Sequence, residues 1–178
     1  VALQEFQSAL ASKNLLQILD ILERCPDVVK QRTPVVRNEL PVRHGLTQGG
    51  LLPIHLLCAC RSLCENDLTE AMNAIIDIWP ECLQEKTSIR DMLSNDNGRY
   101  ECGGGELPIH LAISNHMQAE IVTLLLKTWP ESANEKTTER ITGKYGDTGD
   151  KLPIDIALES DAPNEICASP EIIDVLLK

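Results

Sequence analysis

The tetrapeptide Leu-Pro-Ile-His stands at Leu52–His55 and again at Leu107–His110, and a third copy, Leu152–Asp155, ends in Asp instead of His. Each copy opens an apolar, helix-like stretch. Proline suits the first position of a helix, where its missing N–H leaves no hydrogen bond unmade. One helix start that recurs at three places predicts a tandem-repeat protein, whose units stack to bury a shared core.

A second signature, Trp-Pro-Glu followed by Glu-Lys-Thr, comes after the first two copies, at Trp79–Thr87 and at Trp129–Thr137. Cys25-Pro26-Asp27 with Thr33 has the same spacing between proline and threonine, so it marks a further unit. The sequence therefore predicts one repeat domain over 1–178, with units at approximately 1–33, 52–87, 107–137 and 152–178.

Within a unit, the pattern predicts a helix, a turn, a second helix and a loop. Capping-box spacing predicts that the second helix starts at Asp67 and at Asn115, and Ser169 before a proline predicts a third start. Pro80 and Pro130 are expected to end these helices, because the residue before a proline is excluded from helical geometry.

Long segments separate the units at 34–51, 88–106 and 138–151. They are polar and rich in turn residues such as Asn97-Gly98, so we expect finger loops or β-hairpins. Because they stand at the same place in every unit, stacking is expected to project them from one side.

Bulk composition excludes several classes of function. The net charge of -11 argues against nucleic acid, whose phosphates require clustered basic residues. The one basic run, Lys30, Arg32, Arg37 and Arg43, is interpreted as a solvated loop. Seven cysteines without disulfide-scaffold spacing favour an intracellular, reducing compartment, either the cytoplasm or an organelle interior. No apolar run approaches the roughly 20 residues of a membrane helix.

These motifs resemble the ankyrin-repeat family, whose unit opens with Thr-Pro-Leu-His and runs helix–turn–helix over about 33 residues to a β-hairpin finger. Leu111-Ala112 matches the Leu-Ala that follows this opening, and Ile121–Leu126 resembles the core of the second helix. The resemblance implies an all-α solenoid of about four helix–turn–helix units with long finger loops or β-hairpins. The units are longer than usual, with 55 residues from Pro53 to Pro108 and 45 from Pro108 to Pro153.

Most of the chemically active side chains have a structural interpretation. In the family that the sequence resembles, the histidine of the opening motif, here His55 and His110, hydrogen-bonds backbone and ties units together. Cys58, Cys60 and Cys64 lack the paired spacing of a zinc site and are interpreted as buried thiols. We therefore predict no catalytic, metal-binding or cofactor-binding residue. The structural repeat motif comprises Pro53, His55, Pro108, His110, Pro153, Trp79 and Trp129.

The resemblance implies a protein–protein interaction module, acting as an adaptor or scaffold or as a stable non-catalytic subunit of a hetero-oligomeric assembly. The alternative is a targeting or regulatory domain of a larger enzyme whose catalytic part lies outside this chain. Partner contacts are expected on the fingers and on the faces of the first helices. The predicted contact residues are Arg37, Arg43, His44, Arg90, Arg99, Tyr100, Arg140, Lys144 and Tyr145. The acidic chain predicts a partner protein with basic patches.

Overall fold

A computed structural model describes residues 1–34, 50–60, 63–87, 105–138, 150–158 and 169–177. All regular secondary structure within these ranges is helical, as the sequence predicts. The α-helices are α1 (Ala2–Ala11), α2 (Leu15–Arg24), α3 (Pro53–Cys58), α4 (Glu65–Ile78), α5 (Pro108–Ser114), α6 (Ala119–Thr128), α7 (Pro153–Leu158) and α8 (Pro170–Leu176). Short 3-10 helices span Pro26–Lys30, Pro80–Gln84 and Pro130–Asn134. The predicted finger hairpins lie largely outside the described residues.

Proline sets the helix boundaries. The prolines of the three opening tetrapeptides are the first residues of α3, α5 and α7, and Pro170 opens α8 after the predicted N-cap Ser169. At the other end, Trp79 and Trp129 are the C-caps of α4 and α6, and the prolines that follow them begin 3-10 helices. These predicted starts and ends are confirmed.

Two other predicted helix starts are wrong. Helix α4 begins at Glu65, and its N-cap is Cys64, whose Sγ accepts a hydrogen bond from the Asp67 N–H at 3.5 Å. Asp67 instead lies in the first turn, where a carboxylate interacts favourably with the helix dipole. Asn115 caps the end of α5, and its side-chain amide donates to the Leu111 carbonyl at 2.8 Å. A polar residue at capping spacing therefore did not identify the cap.

The α-helices pack in consecutive pairs, α1 with α2, α3 with α4, α5 with α6 and α7 with α8. Successive pairs then pack on one another: α3 lies between α1 and α5, α5 contacts α7, α2 contacts α4, and α6 contacts α8. Each 3-10 helix touches the first helix of the following pair. A single hydrophobic cluster of mostly aliphatic side chains runs through all four pairs.

The first helices of the two inner pairs are covered on every side. All six side chains of α3 are buried, and so are those of Pro108–Ile113 in α5. A helix with neighbours on both flanks and a second helix behind it retains little free surface. The faces of α3 and α5 are therefore unavailable for the partner contact that we expected of the first helices.

Candidate interaction surface

The two ends of each long segment are joined by the same pair of hydrogen bonds around a buried threonine. The threonine N–H donates to a backbone carbonyl across the segment, and its Oγ1 accepts from the N–H of the same residue. The pairs are Thr33 with Leu51, Thr87 with Glu106 and Thr137 with Lys151, at N–H to carbonyl distances of 2.8, 2.9 and 2.9 Å. We call these three arrangements the segment bases.

Each segment base also contains a residue with positive φ, three positions before the proline of the next helix. These residues are Gly50 (φ 78°), Gly105 (φ 73°) and Asp150 (φ 61°). At Gly105 a side chain is excluded, because an added Cβ would lie 2.4 Å from the Cβ of Thr138. The Thr138 N–H donates to the Gly105 carbonyl at 3.0 Å, so two successive segment bases are directly hydrogen-bonded.

The opening histidines each make two backbone hydrogen bonds. His55 Nδ1 accepts from the Leu52 N–H at 3.1 Å, and its Nε2 lies 2.9 Å from the Glu85 carbonyl. Because Nδ1 is an acceptor, the neutral ring carries its proton on Nε2, which donates to that carbonyl. His110 repeats the arrangement with Leu107 at 3.1 Å and Glu135 at 3.0 Å.

These bonds correct the expectation that the histidines tie neighbouring units together. Glu85 lies in the same unit as His55, and Glu135 in the same unit as His110, so each ring joins the start of a unit to its own end. In the last unit, Asp155 makes the local bond, accepting from the Leu152 N–H at 2.9 Å. A carboxylate has no ring N–H with which to make the second bond.

Both histidines are held neutral. Burial lowers the pKa of His55 to about 4 and that of His110 to about 4; the nearby positive charges of Arg32 and Lys86 act in the same direction, against the backbone hydrogen bonds. Protonation would also abolish the acceptor on Nδ1. A buried imidazole that is neutral at pH 7 with both nitrogens engaged is a structural element, and it is poorly suited to proton transfer.

The bonds between units come instead from the basic residue that precedes each buried threonine. Arg32 donates from Nη1 to the Lys86 carbonyl at 2.9 Å and to the Gly50 carbonyl at 2.8 Å, and its Nη2 pairs with the Glu85 carboxylate at 2.6 Å. Lys86 Nζ then donates to the Lys136 carbonyl at 2.8 Å. In both cases the basic side chain of one unit donates to the carbonyl of the equivalent basic residue in the next unit.

Sequence reasoning missed this role, although a signal was present. Arg32, Lys86 and Lys136 occupy equivalent positions immediately before threonine. The interpretation of Arg32 as part of a solvated loop is wrong, because its side chain is half-buried and bonded to two carbonyls and a carboxylate. Lys136 Nζ pairs with Asp150 at 2.9 Å. The result is that the three segment bases lie next to one another in a row.

The nine predicted contact residues belong to the three long segments, and all of them lie outside the described residues. They are Arg37, Arg43, His44, Arg90, Arg99, Tyr100, Arg140, Lys144 and Tyr145. What the structure describes is where their segments start and finish. Because the segment bases are adjacent, the ends of the three segments that contain these residues lie side by side.

The two tryptophans lie at junctions between successive units, half-buried against the core. Lys30, from the first unit, places its Nζ 5.8 Å from the centre of the Trp79 ring, a cation–π contact. Trp129 lies with Leu83 of the preceding unit and Ile109 around a gap too small for a water molecule. Both rings therefore contribute to packing between units.

Two thiols of the described core, Cys58 and Cys82, are protonated at neutral pH. Burial raises the pKa of the Cys58 thiol and raises the pKa of Cys82 to about 12. Cys60 is buried as well, but Cys64 is exposed because it caps α4 at the surface, so the prediction of a buried thiol is wrong there. Among the described residues, no group of histidine, cysteine or acidic side chains is arranged to hold a metal ion.

Charge is distributed unevenly along the chain. The three long segments contain seven of the 16 basic residues but only eight of the 27 acidic ones, so the rest of the chain contains nine basic and 19 acidic residues. Exposed carboxylates recur along the second helix of every pair. They are Asp20, Glu23, Glu70, Asp77, Glu120, Glu171 and Asp174. The part of the chain outside the long segments is therefore an acidic frame, whereas the long segments carry five of the eight arginines.

None of the helices in the described ranges is both long and apolar enough to cross a membrane. A shallow, open groove of about 260 Å³ runs along α6, lined by Ala119, Glu120, Thr123, Leu124 and Lys127. Small-molecule sites are usually enclosed, whereas this groove is open to solvent. No protein-family model, curated protein or solved structure matches the chain.

Proposed function

We propose that this chain is an ankyrin-like stack of helix–turn–helix units that acts as a protein–protein interaction module. In this proposal it is an adaptor or scaffold, or a stable non-catalytic subunit of a hetero-oligomeric assembly. The observation that carries the proposal is the row of segment bases, held in register by the bonds from Arg32 to the Lys86 carbonyl and from Lys86 to the Lys136 carbonyl.

Register is what makes a row of loops useful for binding. Segments that start from fixed, adjacent points present their side chains to one partner surface at a small entropic cost, because their ends are already positioned. The bond from Thr138 to Gly105 reinforces two neighbouring bases directly. Binding residues are commonly found on loops that a rigid scaffold positions.

The chemistry of the frame supports a non-catalytic role. His55 and His110 are neutral and fully engaged with backbone, and the thiols of Cys58 and Cys82 are buried with raised pKa. A nucleophile needs a lowered pKa or an adjacent base, and neither is present among these four side chains.

The contact surface is assigned to the three long segments, because α3 and the first six residues of α5 are buried. Tyr100 and Tyr145 are proposed as anchors, since tyrosine is favoured at the centre of interfaces. The acidic frame from which the segments start favours a partner with basic patches and an association that weakens as salt is added.

Affinity purification from the native source, followed by mass spectrometry, tests this proposal. We expect a partner to be retained at low ionic strength. Replacing both Tyr100 and Tyr145 by Ala should weaken its binding about tenfold or more, as loss of aromatic anchors does. Gln17→Ala, at an exposed uncharged position on α2, is the matched control and should leave binding unchanged.

Two results would count against the proposal. One is a chain that is recovered alone under gentle, low-salt conditions. The other is a tyrosine variant whose thermal stability collapses while the control remains stable, because Tyr100 and Tyr145 would then be packing residues. Circular dichroism melting of each variant, recorded beside the binding assay, separates the two.

A further inference from the structure

Arg32 connects the first two segment bases through one side chain. Its Nη1 donates to the Gly50 carbonyl at 2.8 Å, at the end of the first long segment, and to the Lys86 carbonyl at 2.9 Å, next to the start of the second. Its Nη2 pairs with the Glu85 carboxylate at 2.6 Å. Because Arg32 also directly precedes Thr33, which bonds across the first segment, it is fixed to both ends of that segment and to the start of the next.

The junction between the second and third segment bases divides the same task between two groups. The glycine carbonyl of this junction, that of Gly105, accepts from the backbone N–H of Thr138 at 3.0 Å. Lys86, which is equivalent to Arg32, donates from Nζ to the Lys136 carbonyl at 2.8 Å. At the first junction the guanidinium of Arg32 makes both kinds of bond, one to the glycine carbonyl and one to the carbonyl of the next basic residue.

A guanidinium is suited to this double role. It is a planar fork with five N–H donors, whereas a lysine ammonium presents its donors from a single atom. The Arg32 side chain is 33% exposed, so water screens its bonds only in part. The Glu85 carboxylate adds a charged acceptor, and hydrogen bonds to charged groups are stronger than neutral ones. We therefore expect a lysine at position 32 to keep the charge but to lose part of the connection.

We propose that Arg32 is a positioning residue of the partner-binding side, because it couples the opening of the first segment base to the opening of the second. Opening either base displaces one acceptor of Arg32, the Gly50 carbonyl or the Lys86 carbonyl, and so breaks a bond that holds the neighbouring base. Coupling between two sites is reciprocal, so a partner that binds one of these segments also stabilises the base of the other. The use of the coupling rests on the proposed function, whereas the coupling itself is a property of the chain alone.

Amide hydrogen exchange of the chain without a partner, followed by NMR, tests this coupling, since exchange reports local opening. The reporters are the N–H groups of Gly50 and Leu51 in the first base and of Thr87 and Glu106 in the second, each bonded within its own base. In Arg32→Met we expect exchange to become about tenfold faster at both pairs of reporters, because several hydrogen bonds are lost. The amides of α6, which belongs to the third unit, should be affected much less.

Two further variants sharpen this result. Arg32→Lys should accelerate exchange at both pairs of reporters by a smaller factor, since it keeps the charge but not the fork. Lys136→Met changes the equivalent position of the third unit, where Nζ pairs with Asp150 at 2.9 Å. It is the matched control and should leave the exchange rates of both pairs unchanged.

Three results would overturn the coupling. Arg32→Met could accelerate exchange in one base only, or accelerate α6 to the same extent, or Arg32→Lys could exchange like the natural chain. Affinity purification keeps this inference distinct from the proposed function. Recovery of the chain without a partner counts against the function, whereas unchanged exchange rates in Arg32→Met count against the coupling.

Discussion

The junction between the second and third units and the start of the fourth unit use the same positions with different residues. The junction has Gly105 at the positive-φ position and His110 as the third residue of α5. The fourth unit has Asp150 and Asp155 at these two places. Backbone geometry and register are the same in both, but Asp155 has no ring N–H to donate the second bond that His110 makes, and Asp150 has a Cβ where glycine is preferred.

The comparison shows which features the two regions share. The threonine hydrogen bonds, the positive φ and the proline helix start are present in both regions, so they define the unit. The two regions differ in the second histidine bond, which joins the start of a unit to its own end, and in the residue at the positive-φ position. We therefore expect the same substitution to cost much more at the inner junction than in the fourth unit.

The largest effect is expected for Gly105→Ala. An added Cβ would lie 2.4 Å from the Thr138 Cβ, and the residue must also keep a left-handed φ. The φ penalty of about 1–2 kcal/mol and a similar or larger packing cost combine to lower the free energy of unfolding by about 2–5 kcal/mol. Urea denaturation measures this. A loss below about 1 kcal/mol would show that the two segment bases are not in close contact.

His110→Ala should have the next largest effect. It leaves the Leu107 N–H and the Glu135 carbonyl without their partner in a buried site, at a cost of about 2–4 kcal/mol. Asp155→Ala is the matched variant in the fourth unit. It removes one exposed cap bond, worth about 1 kcal/mol. Equal losses in urea denaturation for the two variants would remove the distinction between the units.

The pH dependence of stability tests the neutral histidines. Folding lowers the pKa of His55 and of His110 from 6.5 to about 4, so the unfolded chain binds more protons between these values. Stability is fully present above pH 6.5 and falls as the pH drops towards 4, by up to about 1.4 kcal/mol per pH unit for each histidine. Unfolding titrations at pH 7, 6 and 5 measure the slope.

A variant with both His55→Gln and His110→Gln provides the control for that slope. Glutamine does not titrate in this range, so the variant should be less stable at pH 7 but nearly insensitive to pH between 6.5 and 5. If the variant keeps the slope of the natural chain, other groups are responsible and the histidines are not held neutral by burial.

Arg32→Met should lower stability by about 1–3 kcal/mol, because three hydrogen bonds are lost, one of them to a carboxylate. Lys136→Met, at the edge of the fourth unit, removes an exposed ion pair with Asp150 and should cost about 0–1 kcal/mol. Calorimetric melting of both variants checks the order. The reverse order would show that the bonds between units do not depend on Arg32.

The smallest effect is expected at Asp150, where a side chain already occupies the left-handed position. Asp150→Gly and Asp150→Ala both remove the ion pair with Lys136, so their difference isolates the backbone. Glycine should be the more stable by about 1 kcal/mol. A much larger difference, of the size expected at Gly105, would indicate that close packing extends into the fourth unit.

The sequence was most informative where covalent geometry decides the outcome. Proline fixes its own φ and lacks an N–H, so the starts of α3, α5, α7 and α8 could be predicted. The caps at Asp67 and Asn115 could not, because several polar residues compete for each helix end and spacing alone does not choose among them. The wrong prediction that Cys64 is buried has the same origin, because the sequence did not show that Cys64 caps α4.

The bonds between units were beyond reach of the sequence for a different reason. Arg32 meets residues more than 50 positions away, and a local pattern does not report where a long side chain ends. The repetition of a basic residue before threonine was visible, but its meaning required the stacked units. The nine contact residues stay predictions, because they lie outside the described residues. The ankyrin resemblance stays a prediction, because no comparison bears on it.

Site-specific photo-crosslinking tests whether the long segments form the partner-binding side. A photoreactive amino acid is placed at position 100, at position 145 or, as a control, at position 17 on α2, and the adducts formed in native extract are identified by mass spectrometry. We expect positions 100 and 145 to capture the same protein and position 17 not to capture it. Capture from position 17 alone, or of unrelated proteins from positions 100 and 145, would show that the long segments do not form a common binding side.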